Sequence, residues 1–296
     1  MRLPASYSSP RRWPAISCWT ICGLAVAAML GASTTLAEDT SDPRTGPSAA
    51  GERLLLERQG LLPPPEARTQ RVQTTREETP QATVQAVPAA PLAPGTDIQV
   101  NDSTTDTPER TTQSETSMAV LGTTICAGYN DSGTNRYSGL ARSDDLGATW
   151  TDLGEIGQRG DPVIAVHEDS GTFYYAEIAT IGGNPAIGVA VSTDDCMSFG
   201  APVDASPVSS GLAATSLNDK PWIAVDNTGG ANDGNVYVCW TRFATGGSEL
   251  RFSRSTDGGA TYIDEQILAP AGTAPFGCSV VVASNGNVSV SWADRD

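Results

Sequence analysis

The chain has 296 residues and a net charge of −16, with 39% hydrophobic but only 6% aromatic residues. Its 34 acidic side chains against 18 basic ones argue against a nucleic-acid partner, which needs clustered Lys and Arg. The 30 glycines and 20 prolines suit many short strands joined by turns rather than long helices.

The first element in chain order is a targeting segment. Arg2, Arg11 and Arg12 precede an apolar run from about Ile16 to Leu30, and small residues then lead to Thr35-Leu36-Ala37. This is the pattern of a cleaved signal peptide, expected over residues 1–37. The run of ~15 residues falls short of the ~20 that a membrane span needs, so no stable span is expected after cleavage. Loss of the three arginines leaves 15 basic and 34 acidic side chains, a net of −19. A secreted, periplasmic or cell-surface location follows as an expectation.

Residues 38–97 are rich in Pro, Ala, Thr, Gln and charge. Such a stretch buries too little apolar surface to offset its ordering entropy, and it reads as a disordered linker. Leu54-Leu55-Leu56 allow one short helix, ended by Pro63-Pro64-Pro65.

From residue 98 to 296 short β-branched runs alternate with Gly/Asp/Asn turns, and the pattern repeats. One strand is expected at Ser117–Val120, with counterparts at Val163–Val166, Trp222–Val225 and Val280–Ala283. Each is followed by a turn and a second strand, Ile125–Tyr129, Phe173–Ile178, Val236–Trp240 and Val288–Trp292. The starts lie about 46 to 59 residues apart, the size of a four-stranded propeller blade. The expected fold is therefore all-β, a propeller with about three and a half blades in this sequence.

The turn after each third strand repeats as S-x-D-x-G-x-T-aromatic. One copy holds Ser143, Asp145, Gly147, Thr149 and Trp150, and another holds Ser255, Asp257, Gly259, Thr261 and Tyr262. A decayed copy begins with Ser192 and Asp194 and ends at Phe199, with Cys196 in the glycine place. The aspartates are suited to accept backbone N–H bonds within the turn, and the glycines supply positive φ. The aromatic side chain is expected between neighbouring sheets.

Four cysteines remain beyond the signal segment, Cys126, Cys196, Cys239 and Cys278. Export permits their oxidation, and four cysteines allow three pairings. Cys239, on the second strand of blade three, and Cys278, at the entry to blade four, are the favoured pair. None stands in C-x-x-C spacing, so zinc is not expected. His167 is the single histidine and lies in an Asp/Gly-rich turn; it is expected as a solvated turn residue, which argues against a Ser-His-Asp triad and a His-rich metal site. The oxygen-rich turn from Asp226-Asn227 to Asn232-Asp233-Gly234 reads as a solvated Asx turn. Calcium is its alternative, although the spacing matches no standard loop. No cofactor or metal is expected.

These turns and strands resemble the Asp-box, or BNR, repeats of the sialidase-type propellers. Gly160-Asp161-Pro162-Val163, followed by Asp169-Ser170-Gly171-Thr172, is similar to the second blade of bacterial sialidases. The resemblance implies that the Asp boxes are structural and face away from the site, so they identify a fold and not a chemistry. It implies six blades in a full propeller, two or more of them beyond this sequence. The pocket would lie on the face formed by the blade entries and the second-to-third-strand loops. There the substrate-binding candidates are Arg136, Arg159, Asp161, Asp219 and Arg242, and Asp131 is the candidate acid/base. The family's Arg-Ile-Pro motif is replaced here by Ser114-Glu115-Thr116, and its Tyr nucleophile and Glu partner belong to later blades. Two readings stand: a sialidase-like glycoside hydrolase acting on sialylated or other acidic glycans, and a non-catalytic propeller that binds a glycan or a glycoprotein at the cell surface.

Overall fold

Four strands, β1 (Gln113–Leu121), β2 (Thr124–Asp131), β3 (Gly139–Ser143) and β4 (Thr151–Glu155), pair in chain order as one antiparallel sheet. The same order recurs in β5 (Val163–His167), β6 (Thr172–Ile181), β7 (Asn184–Ser192) and β8 (Val203–Asp204). It recurs again in β9 (Leu217–Val225), β10 (Val236–Ala244), β11 (Gly247–Ser255) and β12 (Ile263–Ala269), and a hairpin of β13 (Pro275–Val282) and β14 (Val288–Asp294) follows. This computed structural model describes residues 51, 54–56, 97–106, 112–133, 136–207 and 216–295. The expected signal segment and most of the expected linker lie outside these residues.

The first strands β1, β5, β9 and β13 touch one another in succession. That makes each sheet a blade, and the fold is a β-propeller whose described blades form an open arc. Register aligns Ser117, Val163, Trp222 and Ser279, which face Gly128, Ala176, Cys239 and Ser291. The fourth copy thus begins one residue earlier than its run of valines suggested. Two positions before each aligned residue the backbone is left-handed, at Glu115, Asp161, Lys220 and Gly277, with φ of 53°, 54°, 56° and 62°. In β1, β9 and β13 the pairing register slips at this point, as a bulge requires.

Apolar residues of adjacent blades build the core. Between blades one and two lie Ala119, Leu140, Ile164, Phe173 and Tyr175. Between blades two and three lie Tyr174, Ile187, Val189, Val238, Trp240 and Tyr262. Burying each large side chain of this kind contributes roughly 1.5–3 kcal/mol. The two outer interfaces are also covalent. Cys126 of β2 joins Cys196, and Cys239 of β10 joins Cys278 of β13, the pairing favoured from the sequence. At the ends of the arc Met118, Val120, Val281 and Trp292 are exposed.

The repeated turns share one hydrogen-bond pattern. Ser143 Oγ donates to Asp145 Oδ1 at 2.8 Å, while the N–H and hydroxyl of Thr149 donate to Asp145 Oδ1 and Oδ2 at 2.8 and 2.7 Å. Asp194 accepts in the same way from Ser192 and Ser198, and Asp257 from Ser255 and Thr261. For Asp145, the Thr149 amide and then its hydroxyl hold the carboxyl below its ordinary range. The amide of Gly147 donates back to Ser143 Oγ, and Gly147 and Gly259 have φ of 87° and 88°. Cys196 takes the same place with φ of 64°, which costs a residue bearing a Cβ. The aromatic ends pack as expected: Tyr262 joins the core between blades two and three, and Phe199 meets the edge of Tyr175 with centroids 5.6 Å apart.

His167 differs from its expectation as a solvated residue. Its Nδ1 lies 2.8 Å from Ser170 Oγ and its Nε2 3.1 Å from Asp233 Oδ2. It ties the first turn of blade two to that of blade three. In the latter turn Asp226 Oδ1 accepts from the amide and hydroxyl of Thr228 at 3.0 and 2.6 Å, an Asx turn, and Asp226 is fully buried rather than solvated.

Candidate functional site

The face opposite the S-x-D turns is made by the blade entries and the second-to-third-strand loops. The left-handed residues described above open it. Glu115, Asp161 and Lys220 all bear ionisable side chains, and each holds a conformation that costs a non-glycine residue on the order of 1–3 kcal/mol. Such strain persists only where surrounding contacts fix it. Lys220 forms an ion pair with Glu115, linking the entries of blades three and one. Burial lowers the Lys220 ammonium below its ordinary range. Asp161 is 2% exposed; its Oδ1 accepts from Asn130 Nδ2 at 2.8 Å, and its amide donates to Asn130 Oδ1 at 2.5 Å.

Asp131 stands next to Asn130 on β2, and successive side chains of a strand point to opposite faces. Asn130 reaches blade two, whereas Asp131 turns to its own blade. There its Oδ1 accepts from the Gly133 amide at 2.8 Å and from Gln113 Nε2 at 3.3 Å. Burial, partly countered by these bonds, raises its carboxyl above the ordinary range. The same property lets a carboxylic acid hold a proton for a leaving oxygen.

Glu177 was not singled out by sequence. It is 1% exposed on β6, and burial pushes its carboxyl up to about 7. Its Oε2 accepts from Ser138 Oγ at 2.9 Å and from the Gln158 amide at 2.7 Å. The Arg159 amide and the Arg136 guanidinium also favour its charged form. Arg136 Nη1 donates to Gly157 O at 3.0 Å. The Arg136 guanidinium and the Arg159 backbone, both from sequence candidates, are therefore gathered around one carboxyl at the junction of blades one and two. The signal was present in the repeat: the positions after Gly128, Ala176, Cys239 and Ser291 are Tyr129, Glu177, Trp240 and Trp292. A lone carboxyl in an aromatic column is the anomaly.

The remaining candidates behave differently. Arg242 is 3% exposed, and its Nη2 meets Glu265 Oε1 at 2.7 Å while Arg251 Nη1 meets the same oxygen at 3.3 Å. Its Nε donates to Asn218 Oδ1 at 3.2 Å, which also accepts from Trp240 Nε1. The guanidinium is thus built into blade three. Asp219 is fully buried and its Oδ1 accepts from the Lys220 amide at 2.9 Å. Among the described residues, no group of three or more His, Cys, Asp or Glu is placed to hold a metal ion, and no helix is long and apolar enough to cross a membrane.

No protein-family model and no curated protein matches this chain. Solved structures do. A Hadza microbial sialidase aligns at 16% identity and a TM-score of 0.45, over 62% of this chain and 42% of its own. A GH62 hydrolase in complex with xylotriose aligns at 12% identity and a TM-score of 0.41, over 62% of this chain and 66% of its own. A sialidase from Streptococcus pneumoniae aligns at 12% identity and a TM-score of 0.43, over 60% of this chain and 27% of its own. The chain therefore spans about two-fifths of the length of the first of these.

Proposed function

We propose that this chain is part of an exported, glycan-acting propeller, and that the face carrying Asp161, Asn130 and Asp131 takes a neutral, hydroxyl-rich sugar. The observation that carries the reading is the engagement of three cationic side chains within the protein. Arg242 is committed to Glu265, Lys220 to Glu115, and Arg136 to Gly157 O beside the Glu177 carboxyl, whereas a sialic acid carboxylate requires a guanidinium or ammonium of its own. Carboxylate and amide side chains at the entries suit sugar hydroxyls, which donate to carboxylates and accept from amides. Asp131, with a carboxyl raised by burial on the second strand of blade one, is the candidate to give a proton to a leaving oxygen, in keeping with a glycoside hydrolase. Two disulfides support export to an oxidising compartment.

The test is binding of the purified full chain to an array holding neutral and sialylated glycans, beside turnover of fluorogenic neutral glycosides and a fluorogenic sialoside. Retention on neutral glycans, weakened by Asp161→Ala in a variant that still folds, is expected, with no sialoside turnover. Binding confined to sialylated glycans, or robust sialoside cleavage, would sink the neutral-sugar reading. Neutral-glycoside turnover that survives Asp131→Ala would remove the role of Asp131.

A further inference from the structure

The candidate face is not bare. Within the stretch that reads as a linker, Gly51 and Leu54–Leu56 are helical. Leu54 is 1% exposed and packs on Ile178, with Tyr137 alongside. Gly51 approaches Asp219 so closely that a Cβ on it would lie 3.0 Å from Asp219 Cγ. One short stretch thereby touches the second-to-third-strand loop of blade one, the second strand of blade two and the entry of blade three.

The contact is matched in chemistry. Two positions beyond the aligned residues of the second strands stand Asn130, Ile178 and Thr241. Blades one and three place a polar side chain there and blade two places an apolar one, at the spot where Leu54 lands. An isoleucine on a polar entry face would ordinarily meet water, and burial under a leucine removes that cost. Gly51, which has no Cβ, is the residue type that close approach to the Asp219 carboxyl demands.

We propose that the stretch carrying Gly51 and Leu54 is an autoinhibitory segment, an in-chain occupant of the glycan face that must leave before a sugar can reach Asp219 and the neighbouring entries. The proposal rests on the glycan reading for the identity of the competitor, but the seating of the segment is independent of it. An exported chain could hold its site closed in this way until the segment is displaced or cut.

Thiol labelling of the full chain tests the seating. All four cysteines among the described residues are paired in disulfides, so an added thiol reports its own exposure. A Leu54→Cys chain should react with a maleimide at least about tenfold more slowly than a Leu146→Cys chain, because position 54 is buried and Leu146 is 51% exposed on the opposite face. Adding Gly51→Leu, which clashes with Asp219 but alters no blade residue, should raise the rate at position 54 by a similar factor. Equal labelling at 54 and 146 in otherwise native chains would overturn the proposal, as would a rate unmoved by Gly51→Leu. The consequence is read separately. Leu54→Asp, which leaves every blade residue intact, should strengthen binding on the neutral-glycan array by about tenfold or more, as expected when a competing closed state is removed. If labelling shows a protected position 54 and neither chain binds any glycan, the function reading fails and the segment stands. If glycan binds and Leu54→Asp changes nothing, autoinhibition fails and the function reading stands.

Discussion

Glu177 accepts a hydrogen bond from the hydroxyl of Ser138 at 2.9 Å, across the boundary between the first two blades. Its carboxyl is fully buried, and burial moves it from its ordinary value of 4.5 to about 7. The folded chain therefore binds this proton more tightly than the unfolded one does. The stabilisation from the proton is complete below pH 4.5 and is lost as pH rises through about 7, a loss of roughly 3 kcal/mol at most. Thermal melts should show a higher midpoint at pH 5 than at pH 8 from this group, and Glu177→Gln should shrink that difference. An unchanged pH dependence in the variant would show that the carboxyl titrates normally.

Gly157 lies against the same group. A Cβ at this position would stand 2.2 Å from Glu177 Oε2, and the residue has a φ of +68°. Gly157→Ala should cost more than the 1–2 kcal/mol or so of the backbone conformation alone. In a Glu177→Ala background only the backbone cost should remain. A double-mutant cycle from urea unfolding measures this coupling, and a coupling near zero would contradict the close approach.

The Cys126–Cys196 bond closes a separation of 70 residues, for which chain entropy gives about 4 kcal/mol. Cys196 also holds a left-handed backbone in a place where Gly147 and Gly259 sit. A Cys126→Ser/Cys196→Gly chain should lose the disulfide yet regain the backbone ease of glycine. It should melt above a Cys126→Ser/Cys196→Ala chain, by about 1 kcal/mol in stability. The reverse order would show that the turn gains nothing from glycine there.

The buried pair Arg242–Glu265 separates a structural cation from a ligand-binding one. Arg242→Ala leaves Glu265 buried without that partner and should cost about 3–5 kcal/mol. Replacing both residues with apolar ones of similar volume should cost much less, because no lone charge is left behind. If Arg242→Ala instead melts like the native chain and loses only glycan binding, the arginine serves the ligand.

The blade repeat, the S-x-D turns and the Cys239–Cys278 pair were legible in the sequence. Each turn is a local device: Asp145 bonds Thr149 four residues on, and Asp257 bonds Thr261 in the same way. Hydrogen bonds of that span depend on residue types at fixed offsets, so they survive in the sequence as a pattern. That the blade entries share one face with the second-to-third-strand loops also followed from strand order, since β-strands alternate direction and loops sort to opposite ends.

Tertiary structure alone decided which of those residues are free to act. Arg242 is neutralised by a glutamate 23 residues away, and Glu177 is buried by a loop from the neighbouring blade. His167 is claimed by Asp233 at a separation of 66 residues, and Cys196 pairs with Cys126 across 70. Leu54 lands on Ile178, more than a hundred residues on. The sequence by itself determined the repeating unit, because local hydrogen bonding and alternation leave a periodic trace. Burial and charge pairing are set by which blades come together, and contacts between distant residues leave no fixed spacing to read.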